Sequence, residues 1–124
     1  MVTVLYGVLV LGLAFKDVVI NGKKYRALID TGFNGEVLVS PKVAREIGLK
    51  VLEEKERTTV DGRKVKVKVG IAKVKIDDDE SYMFVEEVEG LPLDVLIGVQ
   101  ALERLGYYVD PKDGTIKKIG LLAV

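Results

Sequence analysis

Residues 27–38 read ALIDTGFNGEVL, and the fold turns on how this stretch is read. The apolar run Ala27-Leu28-Ile29 ends in Asp30-Thr31-Gly32, and a second short strand is expected from Glu36 to Val39. A carboxylate at the end of a buried strand needs a reason. Gly32 lets a backbone approach closely because it has no Cβ, and Thr31 carries a hydroxyl suited to bracing neighbouring backbone. A lone buried carboxylate takes up a proton. Two that face each other share one, because both cannot ionise at close range. One of the pair can then draw a proton from water while the other protonates a carbonyl. That chemistry needs two aspartates, and the chain has one such triplet; Asp113-Gly114-Thr115 is a turn in the wrong order and context. A symmetric homodimer, with Asp30 meeting its own copy across a two-fold axis, supplies the second.

Composition narrows the alternatives. The 124 residues suffice for one domain spanning 1–124, and 48% hydrophobic content is that of a globular chain. No Cys and no His occur. Ser-His-Asp and Cys-His nucleophiles, disulfides and Cys/His zinc sites are therefore excluded. The missing cysteines fit a reducing, cytoplasmic setting. Nineteen basic residues balance nineteen acidic ones, which gives no drive toward nucleic acid or an anionic membrane. Scarce Asn, Gln and Met beside abundant Lys, Glu and Val lean toward a thermophilic source. The opening MVTVLYGVLVLGLAF has no basic leader region and is short for a membrane span, so it is read as strand.

Around the triplet the elements follow local rules. Asn21-Gly22 between 18–20 and 25–29 predicts a hairpin. Ser40-Pro41 predicts a helix start, with Val43, Ala44 and Ile47 on one face and Gly48 as its stop. Residues 58–76 alternate with period two, Val65, Val67 and Val69 facing one way and Lys64, Lys66 and Lys68 the other, the lysines forming a solvated row. Asp61-Gly62 marks a second tight hairpin, and residues 77–80 an acidic turn before a strand at 82–85. Residues 95–97 form a buried strand ending at Gly98, followed by a short helix with Ala101, Leu102 and Leu105 inward and Gly106 at its end. Strands follow at 107–109 and 115–119. ALIDTG and DVLIG, each succeeded by a short helix closed by glycine, suggest a duplicated strand-helix unit.

With these elements in order, the chain resembles the retropepsin-like aspartic proteases of the pepsin superfamily, especially small prokaryotic proteins with a DTGF motif. The resemblance rests on ALIDTGFNGEVLVSP, TTVDGRKVKV and LDVLIGVQALERLGYYVDP, and covers 15–118. It implies an all-β fold with two short helices, a closed retropepsin-like barrel (the acid protease fold) with one lobe per chain. It implies an aspartic endopeptidase, active as a homodimer on a peptide or protein substrate, with no cofactor, no metal, no nucleic acid and no membrane. Asp30 is then catalytic, with Thr31 and Gly32 supporting its loop. Val60, Asp61, Gly62 and Arg63 form a flap over the substrate, and Leu96, Ile97 and Gly98 cross beneath the loop. Phe33, Asn34 and Gly35 complete the substrate-binding set. Many retropepsins carry Ala or Ser where this chain has Phe33, whose ring would fill or narrow a subsite. The rival reading is a catalytically silent dimeric peptide-binding or protein-interaction module on the same fold.

Overall fold

The structure is a computed structural model and describes residues 14–59, 61–110, 112, 113 and 115–119. The expected strand ahead of Ala14, the final apolar residues and Val60 lie outside the described residues. Strand β1 (Ala14–Ile20) pairs antiparallel with β2 (Lys23–Ile29). Asn21 and Gly22 both take positive φ, 48° and 85°, as an Asn-Gly hairpin demands. The Asn21 side chain also receives the Lys73 amide at 3.0 Å and donates to the Ile47 carbonyl at 3.1 Å. One turn residue thus ties the hairpin to two distant segments.

β3 (Val37–Val39) is wholly buried. Helix α1 (Pro41–Glu46) starts at Ser40, whose hydroxyl accepts the Val43 amide at 3.2 Å, and ends at Gly48 with φ of 65°. Then comes β4 (Val51–Thr58), which the sequence pattern does not reveal. Its side chains, VLEEKERT, are exposed almost throughout. Among the described residues it pairs only with β5, as an edge strand, so no apolar alternation is required of it. β5 (Lys64–Ile76) and β6 (Asp79–Val88) form the longest ladder. β7 (Val95–Ile97), α2 (Val99–Leu105), β8 (Tyr107–Val109) and β9 (Ile116–Lys118) complete the order.

Six strands close on themselves in the order β1-β2-β7-β3-β6-β5, the ring being joined by pairing of Val19 with Lys75 and Ile20 with Val74. Closure leaves β4 as the edge of this sheet. The expected all-β closed barrel with two short helices is what the chain forms. The duplicated pattern has a structural counterpart, since β2 and β7 run parallel with Ala27, Leu28 and Ile29 beside Val95, Leu96 and Ile97. Asp30 and Gly98 therefore leave the sheet side by side.

Period two divides the interior into two cores. Ala27, Ile29, Val37, Val39, Val95 and Ile97 enter the larger one, under the helices. The alternate residues Leu28, Leu38 and Leu96 enter a smaller one with Phe33, Val67 and Val69. Each fully buried Val, Leu or Ile contributes roughly 1.5–3 kcal/mol. The lysine row 64, 66 and 68 is exposed, as its alternation with the valines predicts. At the far end Tyr107 is buried, and its hydroxyl reaches the Asp79 carboxylate at 2.5 Å and the Ile76 carbonyl at 3.2 Å. That contact fastens the β8–β9 hairpin to the barrel. Among the described residues no helix is long and apolar enough to cross a membrane.

Candidate active site

β2 delivers Asp30 at its C-terminal end. The Asp30 amide donates to the Ile97 carbonyl at 2.9 Å, so the register with β7 continues one residue past the strand. The chain then turns: the Gly32 amide donates to Asp30 Oδ1 at 2.8 Å and the Phe33 amide to the Asp30 carbonyl at 3.1 Å. Such local bonding of an aspartate to the backbone two residues on is what makes Asp a turn residue. The carboxylate is 1% exposed, yet its other oxygen, Oδ2, is buried and has no hydrogen-bond partner among the described residues. An unpaired buried carboxylate oxygen is costly, and native structures tolerate few. Thr31 and Gly32, by contrast, are exposed.

Residues 33–36 are bolted to the start of α2. The Gly98, Val99 and Gln100 amides donate to the carbonyls of Glu36, Phe33 and Gly35 at 2.8, 3.0 and 3.0 Å. Phe33 is 1% exposed, its ring wedged between Gly35 and Gly98. A Cβ on Gly98 would stand 2.6 Å from Phe33 Cδ2, and one on Gly35 2.8 Å from Phe33 Cε1. Gly35 is thus required by the aromatic ring, and Gly98 by the ring together with the backbone oxygens of Phe33 and Gly35. Glu36, expected as a strand residue, lies one position before β3 with its carboxylate buried. It accepts the Phe84 amide at 2.6 Å and the Arg104 guanidinium at 2.7 Å (Nε) and 2.6 Å (Nη2). Asn34 is exposed.

The β4–β5 hairpin turns at Thr59, whose amide donates to the Arg63 carbonyl at 2.8 Å, while the Gly62 amide donates to the Thr59 carbonyl at 3.0 Å. Thr59 and Arg63 therefore pair across the turn, with Gly62 at φ of 86°, a left-handed conformation that suits glycine. Asp61 receives the Thr59 hydroxyl and the Arg63 Nε, the latter at 3.0 Å. The Thr59 bond, then the Arg63 charge and amide, hold the Asp61 carboxyl below its ordinary range.

A cavity of about 300 Å³ opens between this hairpin and the Phe33 core, lined by Phe33, Leu38, Arg57, Val67 and the 88–92 turn. Asp30 is outside that lining, as are Asp61, Gly62, Leu96, Ile97 and Gly98; Arg63 and Phe33 belong to it. Leu96 packs beneath Phe33, whereas Ile97 points into the opposite core. A second, polar cavity of about 260 Å³ holds Asn34, Gly35, Glu36, Glu86 and Arg104. Arg57 and Glu86 were not legible as site residues. They stand 29 positions apart, and only the barrel brings them together, with Arg57 Nε 2.5 Å from Glu86 Oε1. Among the described residues no group of three or more Asp or Glu is arranged to hold a metal ion.

A closed six-stranded barrel with an Asp-Thr-Gly loop leaving paired parallel strands defines a retropepsin-like aspartic protease lobe. The family described as gag-polyprotein putative aspartyl protease matches residues 16–104, and the chain belongs to it. Solved structures agree on the fold. EIAV protease complexed with the inhibitor HBY-793 superposes with a TM-score of 0.65 at 17% identity, covering 75% of this chain and 88% of that one. A retropepsin-like aspartic protease from Rickettsia conorii gives 0.62 at 23% identity, covering 82% and 86%. The retroviral protease-like domain of Ddi1 from Leishmania major gives 0.56 at 19%, covering 86% and 85%. No curated protein matches the sequence.

Proposed function

We propose that the protein is an aspartic endopeptidase active as a homodimer, with one Asp30 from each copy. The observation that carries this reading is the buried Asp30 Oδ2, which has no hydrogen-bond partner among the described residues, while Oδ1 accepts the Gly32 amide. That oxygen is covered in the single chain; once dimerisation uncovers it, a second Asp30 across a two-fold axis would give it its partner, the two carboxylates sharing one proton. One carboxylate takes a proton from water as the water oxygen bonds to the peptide carbonyl carbon. The other gives its proton to the carbonyl oxygen. The tetrahedral gem-diol then collapses: the C–N bond breaks, the departing nitrogen takes the proton the first carboxylate drew from water, and the second carboxylate recovers one from a diol hydroxyl, leaving a carboxyl group and an amine. Thr31 and Gly32 are exposed, as residues that support the loop at a dimer interface would be in the single chain.

The 59–63 hairpin serves as the flap, pairing with an extended peptide as an added strand. The cavity lined by Phe33, Leu38, Val67 and Leu91 suits an apolar substrate side chain. Phe33 is packed against two glycines and leaves that cavity open, which supports turnover over silent binding. The test is cleavage of a diverse peptide library by wild type and Asp30→Asn, from acidic to neutral pH and moderate to high temperature, with molecular mass measured in the same samples. Cleavage beside apolar residues that vanishes in Asp30→Asn is the expected result. Cleavage that survives the substitution refutes the mechanism, and a dimer that binds but never cleaves peptides points to the silent module.

A further inference from the structure

Arg57 lies near the end of β4, two residues before the turn at Thr59. Its guanidinium forks onto Glu86 of β6, Nε to Oε1 at 2.5 Å and Nη2 to Oε2 at 2.6 Å. The same group stands 5.2 Å from the centroid of the Phe33 ring, within range of a cation–π contact. Arg57 lines both cavities and so forms the wall between them. Three elements meet there that the backbone does not join: the outer arm of the hairpin, the β6 strand and the residue directly after Asp30-Thr31-Gly32. Among the described residues β4 has no backbone neighbour but β5, so the hold those residues give it on the rest of the barrel at this point comes from side chains.

We propose that Arg57 is a positioning residue: forked on Glu86 and stacked on Phe33, it latches the β4–β5 hairpin over the cavity beside the Asp30 loop. Glu86 is 6% exposed, and its other cation, Lys55, is 3.7 Å away at Oε2. Swinging the hairpin outward strips this buried carboxylate of its two-bond partner, which strongly disfavours the open state. The planar fork fits a carboxylate in a way one ammonium cannot, so lysine is no substitute. The Glu86 bond also holds the Arg57 guanidinium in its charged form, above an already high ordinary value.

The effect on turnover rests on the protease reading above; the latch itself does not. The experiment is amide hydrogen exchange on the full chain, comparing wild type with Arg57→Met and with Arg57→Met/Glu86→Leu. The double variant leaves no stranded carboxylate, so it remains informative if the single one fails to fold. Amides of 52–59 and 61–63 should exchange about tenfold faster, while those of β2 and β7 stay within about twofold of wild type. Unchanged exchange in the hairpin overturns the latch, and so does equal acceleration in β2 and β7, which marks a general loss of stability. In cleavage assays KM should rise about tenfold with kcat nearly constant. An unchanged KM beside faster exchange overturns the role in substrate positioning. If wild type cleaves nothing, the protease reading fails and exchange alone decides the latch.

Discussion

Gly35 and Gly98 flank the same ring, yet the structure predicts opposite responses when that ring is shortened. The three atoms nearest a Cβ on Gly35 are all outer atoms of Phe33: Cζ, closest of all, then Cε1 at 2.8 Å and Cε2 at 3.0 Å. A Cβ on Gly98 meets Phe33 Cδ2 at 2.6 Å, and also two backbone oxygens, Phe33 O at 2.7 Å and Gly35 O closer still. Leucine lacks Cε1, Cε2 and Cζ but keeps branched atoms at the δ position. Phe33→Leu therefore clears the space beside Gly35 and leaves the obstruction at Gly98. Overpacking of this kind costs about 1–3 kcal/mol. Gly35→Ala should thus destabilise wild type by about 2 kcal/mol. In the Phe33→Leu background it should be neutral, or stabilising by about 0.5 kcal/mol through the lower entropy of the unfolded chain. Gly98→Ala should cost about 3 kcal/mol in both backgrounds, because the hydrogen bonds from Gly98 and Val99 to Glu36 and Phe33 hold the two backbones together. Urea denaturation at one fixed protomer concentration measures all of these, provided m is unchanged. The double-mutant cycle should give a coupling of about 2 kcal/mol for Phe33 with Gly35 and under about 0.5 kcal/mol for Phe33 with Gly98. Equal couplings at the two glycines would refute the packing argument.

Tyr107→Phe removes the hydroxyl shared by Asp79 and Ile76 and should cost about 1–2 kcal/mol, with exchange in the β8–β9 hairpin rising first. Alkaline stability should fall for a defined reason. Burial, then the hydrogen bond to Glu46, pushes Tyr25 up to about 12, and burial with Asp79 raises Tyr107 likewise. A raised folded-state value stabilises fully below the unfolded tyrosine value near 10 and is lost as pH climbs through the folded one. Denaturation midpoints should therefore drop between about pH 10 and 12, and less so in Tyr25→Phe. Asp79, held low chiefly by its Lys118 bond and next by Tyr107, has the opposite sign: its contribution is present above the unfolded aspartate value and fades as pH falls through the folded one. Asp79→Asn should flatten that acid limb of the stability profile.

Much of this protein is decided by short-range rules, and those parts were readable in the chain. Asn21-Gly22 dictates a turn through positive φ, Ser40-Pro41 a helix start through one hydroxyl and one fixed dihedral, and the Val/Lys alternation of 64–69 a strand with one wet face. The Asp-Thr-Gly loop also declares itself, because a carboxylate between apolar runs is costly unless it is used. β4 escaped notice because a strand paired on one side and exposed almost throughout has no need of apolar periodicity. What only the tertiary structure decided are the meetings between distant residues: Arg57 with Glu86, Glu36 with Arg104, and Phe33 with Gly98. A sequence specifies dihedrals and burial locally, within a few residues. Which charge neutralises which buried carboxylate depends on barrel closure, and closure is set by all six strands together.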